Sequence, residues 1–169
     1  MRRAIIILVV CLLLLGLCTG VALSLAVKWD GVLKRTLAVL VLNADSSEPI
    51  PNAIVTFCDT EYEEAQKFPE SLTRMDEVEH KRWVERHFSR GNTDASGRCR
   101  LDAWFPCGGS KVLLWHTGNL WLDGTVEVRA QGFFPARESL PVLAGARSLA
   151  IRGRGPISVH VKLRRAPSE

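Results

Sequence analysis

Four histidines are the first residues of this 169-residue chain to consider for acid–base or metal chemistry. His80 and His87 are seven residues apart, near two glutamates, and would share one face if their segment is helical. Helical metal sites usually use tighter spacing, such as i and i+4, so a solvated helix face is the favoured interpretation over a zinc site. His116 and His160 are isolated within apolar alternations. The sequence therefore predicts no catalytic residue, no metal and no cofactor.

Three tryptophans are the better candidates for ligand binding. Trp104, Trp115 and Trp121 lie close together in the sequence, and the first two follow strand-like segments. Flat aromatic rings can stack on sugar faces or anchor a protein interface. The structural alternative, which is the favoured one, is that these rings fill the core or cover its end. If the rings are exposed, these three residues predict a protein or glycan partner.

The cysteines suggest no complete disulfide framework. Cys58, Cys99 and Cys107 follow the N-terminal apolar segment, and an odd number leaves at least one thiol unpaired within the chain. Strand parity turns Cys58 outward and Cys99 inward, which disfavours a bridge between them. Cys107 is the more adaptable partner, so the pairing stays open, and Cys99 is predicted to be a buried free thiol.

The N-terminal segment is long enough to cross a membrane. From residue 4 to residue 27 no side chain is charged, and Arg2 and Arg3 precede this run. An α-helix of that length would reach about 36 Å, against about 30 Å of hydrocarbon. We predict that residues 1–27 form one transmembrane anchor, with residues 4–27 in contact with lipid and Lys28 onward extracytoplasmic. A cleaved signal peptide is the alternative, because small residues lie near its end, and the protein would then be secreted.

The charge is distributed unevenly beyond this segment. Residues 28–90 contain 9 basic and 12 acidic residues, whereas residues 91–169 contain 11 and 6. The C-terminal excess could favour an anionic lipid or polymer surface. Solvated strand faces and loops are the favoured explanation. Nucleic acid is not an expected partner, because the domain is predicted outside the cytoplasm and lacks a recognisable reading motif.

Short alternating segments separated by Gly, Pro and Asn turns predict a β-rich domain after the anchor. "FPCGGS" at residue 105 is predicted as a loop and "TGN" at residue 117 as a tight connection. Thr60 and Glu63 have the spacing of a capping box, and Pro69 would end the helix that they start. The predicted order is an anchor at 1–27, a linker at 28–35, an all-β antiparallel sandwich at 36–165 with a helical insertion at about 59–90, and a tail at 166–169.

One turn belongs to an ordered set of motifs. Thr93, Asp94 and Gly97 follow "PIPNAIVTF" and precede "VEVRAQGFFP" and "VHVKL". This set resembles the carboxypeptidase regulatory-like domain, a transthyretin-like sandwich with Greek-key connections. The resemblance covers about residues 36–165. The matching positions are Pro51, Ala53, Val55, Thr93, Asp94, Gly97, Leu101, Val126, Val128, Ala130, Gly132 and Phe133.

The resemblance implies a folding support or interaction module and not an enzyme. Transthyretin-related hydrolases end in Tyr-Arg-Gly-Ser, whereas this chain ends in "LRRAPSE". We therefore expect a non-catalytic, membrane-anchored binding or scaffolding module. The alternatives are a carbohydrate-binding accessory domain that uses the tryptophans and a small hydrolase that uses His116 or His160.

Overall fold

The computed structural model describes residues 7, 9–17, 27–69, 72, 75–112, 115–151, 153 and 155–167. The chain is mostly β-strand, and its two sheets are consistent with the predicted sandwich. The strands are β1 (Val27–Asn43), β2 (Ile54–Cys58), β3 (Phe88–Asn92), β4 (Arg98–Val112), β5 (Trp115–Trp121), β6 (Thr125–Arg129), β7 (Ala136–Ser139), β8 (Ser148–Ala150) and β9 (Ile157–Leu163). The helices are α1 (residues 9–17), α2 (Thr60–Lys67), α3 (Glu77–His87) and α4 (Leu140–Ala144).

Sheet A has the strand order β8-β5-β4-β1-β9, and sheet B has the order β3-β2-β6-β7. The expectation of a wholly antiparallel sandwich is wrong at β9, which runs parallel to β1 from Leu37 opposite Ile157 to Asn43 opposite Leu163. The reason is the connection that precedes β9. The chain leaves β8 at one edge of sheet A and enters β9 at the opposite edge, beside β1.

The core lies between the inner faces of the two sheets, where every second side chain is apolar and buried. In β9 the alternation is complete, with Ile157, Val159, Val161 and Leu163 buried and their neighbours exposed. Sheet B contributes Val55, Phe57, Val126 and Val128. Burying an apolar side chain of this kind contributes about 1.5–3 kcal/mol. The period-two pattern predicted for these segments is confirmed.

Sheet A extends further than the sequence indicates. The predicted linker at 28–35 is the first half of β1, which pairs with β4 from Val27 opposite Lys111 onward. The predicted loop "FPCGGS" lies within β4, and the predicted connection "TGN" lies within β5. Glycines suggested turns here, but Gly109 and Gly118 are cross-strand partners in a hairpin whose backbones approach closely.

The helical insertion comprises α2 and α3, followed directly by β3. Asp59 and not Thr60 is the N-cap of α2, because its side chain accepts a hydrogen bond from the amide of Tyr62. The helix ends at Lys67, two residues before Pro69. α3 ends at His87 and β3 begins at Phe88, so the predicted helical insertion gives way to a strand at that point.

The predicted anchor is described only in part. Residues 9–17 are helical, whereas residues 1–6, 8 and 18–26 of the predicted anchor lie outside the described residues. Among the residues that the structure describes, no helix has the length and hydrophobicity needed to cross a bilayer.

Candidate binding surface

Two of the three candidate tryptophans lie on the outer face of sheet A, which is turned away from sheet B. In β4 the side chains of Ala103 and Phe105 are buried in the core, so Trp104 points to the other face and is half-buried there. Trp121 lies between two buried leucines and is 45% exposed. Trp115 belongs to β5, but its side chain lies outside the described residues.

A glycine positions the ring of Trp121. Gly108 has no side chain on the outer face, and a Cβ atom there would come within 2.9 Å of Cη2 of Trp121. The indole therefore packs against the backbone of β4 at Gly108 and leaves the rest of its surface to solvent. A larger residue at position 108 would displace the ring.

Exposed apolar residues adjoin Trp121. Pro106 is exposed and is the cross-strand partner of Val32, which is 49% exposed. Trp121 follows Leu120, the partner of Cys107, and so lies beside Pro106. We call Val32, Trp104, Pro106 and Trp121 the outer-face patch. Contiguous exposed apolar surface of this kind marks interaction sites.

Three grooves are bordered by Arg100, and the largest of them is also lined by Trp104 of the patch. The largest, about 590 Å³, is lined by Trp104, Lys34 and Arg90 among others. A second of about 360 Å³ also includes Lys34, and it passes Thr36 and Pro156. A third of about 250 Å³ lies over β1 and β9, where its lining includes Ala38, Leu40, Arg98, Ser158 and His160.

The second and third grooves are lined by basic and no acidic side chains, whereas the largest also contains Glu85 and Asp102. Lys34 Nζ lies 2.9 Å from Asp102 Oδ2, and both side chains are more than half exposed, so this pair is strongly screened by water. Arg90, Arg98 and Arg100 form no salt bridge with any residue that the structure describes. These guanidinium groups can bind an anionic ligand, and Arg98 also interacts electrostatically with Asp94.

The turn signature is part of the scaffold. The hydroxyl of Thr93 donates to the carbonyl of Ile50 and accepts from the amide of Ala53, both at 2.8 Å. Asp94 Oδ1 accepts from the amides of Ser96 and Arg98. The backbone hydrogen bond from Arg98 and then the side-chain hydrogen bond from Ser96 lower the pKa of Asp94. The turn thereby joins β2 to the start of β4 and presents Arg98 to the outer face.

A fourth tryptophan, which the sequence placed in a linker, covers the inner face of the same sheet. Trp29 is half-buried and packs against the hydrophobic core. A Cβ atom on Gly118 would lie 2.6 Å from its ring, so this glycine is needed for the contact. Its Nε1 atom is buried and has no hydrogen-bond partner among the described residues. The register of β1 on β4 could not be read from the local sequence, so Trp29 was not identified.

His87 is buried, which corrects the predicted solvated helix face. It is 8% exposed, and its Nδ1 atom lies 2.5 Å from Oδ2 of Asp59, which is 9% exposed. Burial raises the pKa of Asp59, while the hydrogen bonds from Tyr62 and His87 oppose that shift. Trp83 packs on the imidazole with ring centroids 4.8 Å apart. The pair joins the end of α3 to the N-cap of α2 and is inaccessible to a substrate.

Cys58 lies near this pair but is not poised for nucleophilic attack. Its Sγ atom donates to Glu63 Oε1 at 3.5 Å, and Arg137 Nη2 contacts the same oxygen at 3.1 Å. Burial and then the charge of Glu63 raise the pKa of Cys58 to about 12. The thiol is therefore protonated at neutral pH, and only the thiolate is strongly nucleophilic.

The remaining cysteines and histidines are separate. Cys58, Cys99 and Cys107 are free thiols, and the predicted burial of Cys99 is confirmed. Cys107 lies in β4, not in a loop, and is also buried. His80 and His160 are exposed, and the side chain of His116 lies outside the described residues. Within the described part of the chain, no cluster of three or more His, Cys, Asp or Glu side chains could hold a metal ion.

No protein-family model matches this chain, and neither a curated protein nor a solved structure is significantly similar to it. The resemblance to the carboxypeptidase regulatory-like domain thus remains a prediction from its motifs.

Proposed function

We propose that this protein is a non-catalytic binding module whose binding surface is the outer face of sheet A. The observation that carries the proposal is the exposure of Trp121 beside Pro106 and Val32. Large apolar side chains exposed together on a rigid sheet are typical of binding surfaces, and tryptophan is among the residues that contribute most to binding energy. The ring already packs against Gly108, so little side-chain freedom would be lost on binding.

The absence of catalysis is part of the proposal. Two observations support it: Cys58 is held protonated, and His87 and Asp59 satisfy each other in a buried site. The hydrolase alternative needs His116 or His160 beside an acid. His160 points to the outer face of β9 and forms no hydrogen bond or salt bridge with the described residues. No contact of His160 favours the hydrolase.

The location of the module is likewise a proposal. The apolar run from residue 4 to residue 27 ends where β1 begins, which supports a tether that holds the domain at the extracytoplasmic side of a membrane. If that run is cleaved as a signal peptide, the same binding surface belongs to a secreted protein.

We also propose that the fold is of the carboxypeptidase regulatory-like, Greek-key type. The ordered motifs support it, as does the way in which Thr93 and Gly97 connect β2 with β4. Comparison of the strand order of both sheets with that of a carboxypeptidase regulatory-like domain checks this proposal.

Site-specific photocrosslinking in living cells tests the binding surface. A photoreactive amino acid is placed at Val32, within the outer-face patch, or at Val142 on α4, which is 68% exposed and serves as the matched control. We expect adducts of the full chain from position 32 and not from position 142, and we expect Trp121→Ala to abolish them without changing the unfolding midpoint. Equal adducts at both positions, or none at position 32, would contradict the proposal.

A further inference from the structure

The outer face of sheet A places the exposed arginines of β4 beside a line of small and apolar side chains in β1. The register places Arg98 opposite Leu40 and Leu40 opposite His160, so these side chains form one line across β4, β1 and β9. Two residues along, Arg100, Ala38 and Ser158 form the next line. The small and apolar residues of β1 therefore lie between exposed polar side chains of the strands on either side.

This arrangement is a trough with β1 as its floor. Thr36, Ala38 and Leu40 are half-buried, whereas Arg98 and Arg100 beside them are exposed. The grooves of about 250 and 360 Å³ follow this floor from Leu40 to Lys34, and the groove of about 590 Å³ continues past Arg100 to Trp104. At about 3.3 Å per residue, the floor is roughly 20 Å long.

We infer that the trough binds an acidic polysaccharide. The inference rests on the proposed function, in that it takes the outer face of sheet A as the binding surface. Arg98 and Arg100 would bind carboxylate or sulfate oxygens, because the planar guanidinium group forms two parallel hydrogen bonds to such anions. Trp104, which lines the largest groove with Lys34, would stack on a sugar ring.

The shape favours a single polymer chain over an anionic bilayer. A flat membrane surface would contact the exposed arginines but could not reach the half-buried floor at Ala38 and Thr36. A narrow, flexible chain can enter the trough and contact floor and arginines together. Mixed aromatic and cationic lining also suits acidic sugars, which present both ring faces and charged groups.

Binding of the purified full chain to immobilised polygalacturonate, heparin and neutral dextran tests the inference. We expect both acidic polymers to bind and dextran to bind at least about tenfold more weakly, with binding reduced between about 0.05 and about 0.5 M salt. The variant Arg98→Gln with Arg100→Gln keeps much of the alkyl stems, and it should lose about tenfold or more in affinity. Trp104→Ala should weaken binding by a similar factor.

The matched control is Arg129→Gln with Arg147→Gln, which removes the same charge from exposed sites outside the trough. It should bind like the unchanged protein, and thermal unfolding of each variant verifies its fold. Equal losses in the two double variants would overturn the inference, because net charge would then suffice. Failure to bind either acidic polymer, or tighter binding to vesicles of phosphatidylcholine and phosphatidylglycerol, would overturn it too.

The crosslinking and polysaccharide experiments distinguish failure of the proposed binding surface from failure of the proposed ligand. If position 32 crosslinks in a manner that depends on Trp121 but no acidic polymer binds, the binding surface stands and the acidic polysaccharide is wrong. If position 32 gives no adduct and acidic polymers bind without dependence on Arg98 and Arg100, both proposals are wrong.

Discussion

At the scale of single residues, the turn before β4 shows how backbone geometry constrains sequence. Gly97 has a φ of +71°, and a Cβ atom there would lie 2.7 Å from the carbonyl oxygen of Val41. Gly132 has a similar φ of +78°, but nothing lies within 4 Å of its added Cβ. Substitution of these two glycines therefore distinguishes the free-energy cost of a left-handed backbone from the cost of a steric clash.

We predict that Gly97→Ala destabilises the domain more than Gly132→Ala does. The second change should cost about 1–2 kcal/mol, which is the penalty of a left-handed residue with a side chain. Gly97→Ala adds the displacement of Val41 and Pro49 and should cost about 2–4 kcal/mol. Urea unfolding of both variants measures the difference, and equal midpoints would show that the turn relaxes without strain.

At the scale of elements, α2 and α3 begin with the same kind of cap in two different environments. Asp59 accepts from the amide of Tyr62 and also contacts buried His87, whereas Asp76 is exposed and accepts from the amide of Glu79. Both carboxylates satisfy a free amide in the first turn of a helix. Only Asp59 also satisfies a second buried group.

We predict that Asp59→Ala costs more stability than Asp76→Ala. Loss of an exposed cap should cost about 1 kcal/mol. Asp59→Ala also removes the close partner of the buried His87 imidazole, which keeps only Glu61 at 3.9 Å, and should cost about 2–4 kcal/mol in total. Chemical denaturation checks which of the two variants is less stable. Asp59→Asn can still cap α2, so it should lose less stability than Asp59→Ala. An Asp76→Ala variant as unstable as Asp59→Ala would contradict the assigned role of His87.

What could be predicted from sequence at this scale depended on local periodicity. The alternation of β6 and β9 is visible in a few consecutive residues, and so is the turn at Asp94. The first half of β1 is not, because Lys28, Asp30 and Gly31 resemble a linker until β4 is placed beside them. The trough was missed for the same physical reason: Arg98 and His160 become neighbours only through the register of β1 with two strands distant in sequence.

At the scale of the whole molecule, the strands differ in the free energy needed to open them. β1 lies between β4 and β9 and contributes Leu37, Val39 and Val41 to the core. β8 has three residues, all exposed, and it pairs with β5 alone. Local opening should therefore cost far less free energy at β8 than at the centre of β1.

We predict the slowest amide hydrogen exchange at residues 37–41 and the fastest exchange of any strand at residues 148–150. Exchange at the centre of β1 should require global unfolding, because both of its edges are hydrogen-bonded. Hydrogen–deuterium exchange followed by mass spectrometry measures both segments in one experiment. Protection of β8 equal to that of β1 would mean that the edge of sheet A is stabilised by contacts beyond its three ladder pairs.

The parallel pairing of β1 and β9 has a mechanical consequence. Tension applied between Val27 at the start of β1 and Leu163 at the end of β9 pulls these adjacent strands in opposite directions along their shared ladder. The load is then shear, in which the ladder bonds from Leu37 to Asn43 must rupture together instead of unzipping one by one. The force needed to unfold the molecule in this direction should therefore be high. It should be far lower when tension is applied between β6 and β7, because that antiparallel pair can separate one hydrogen bond at a time.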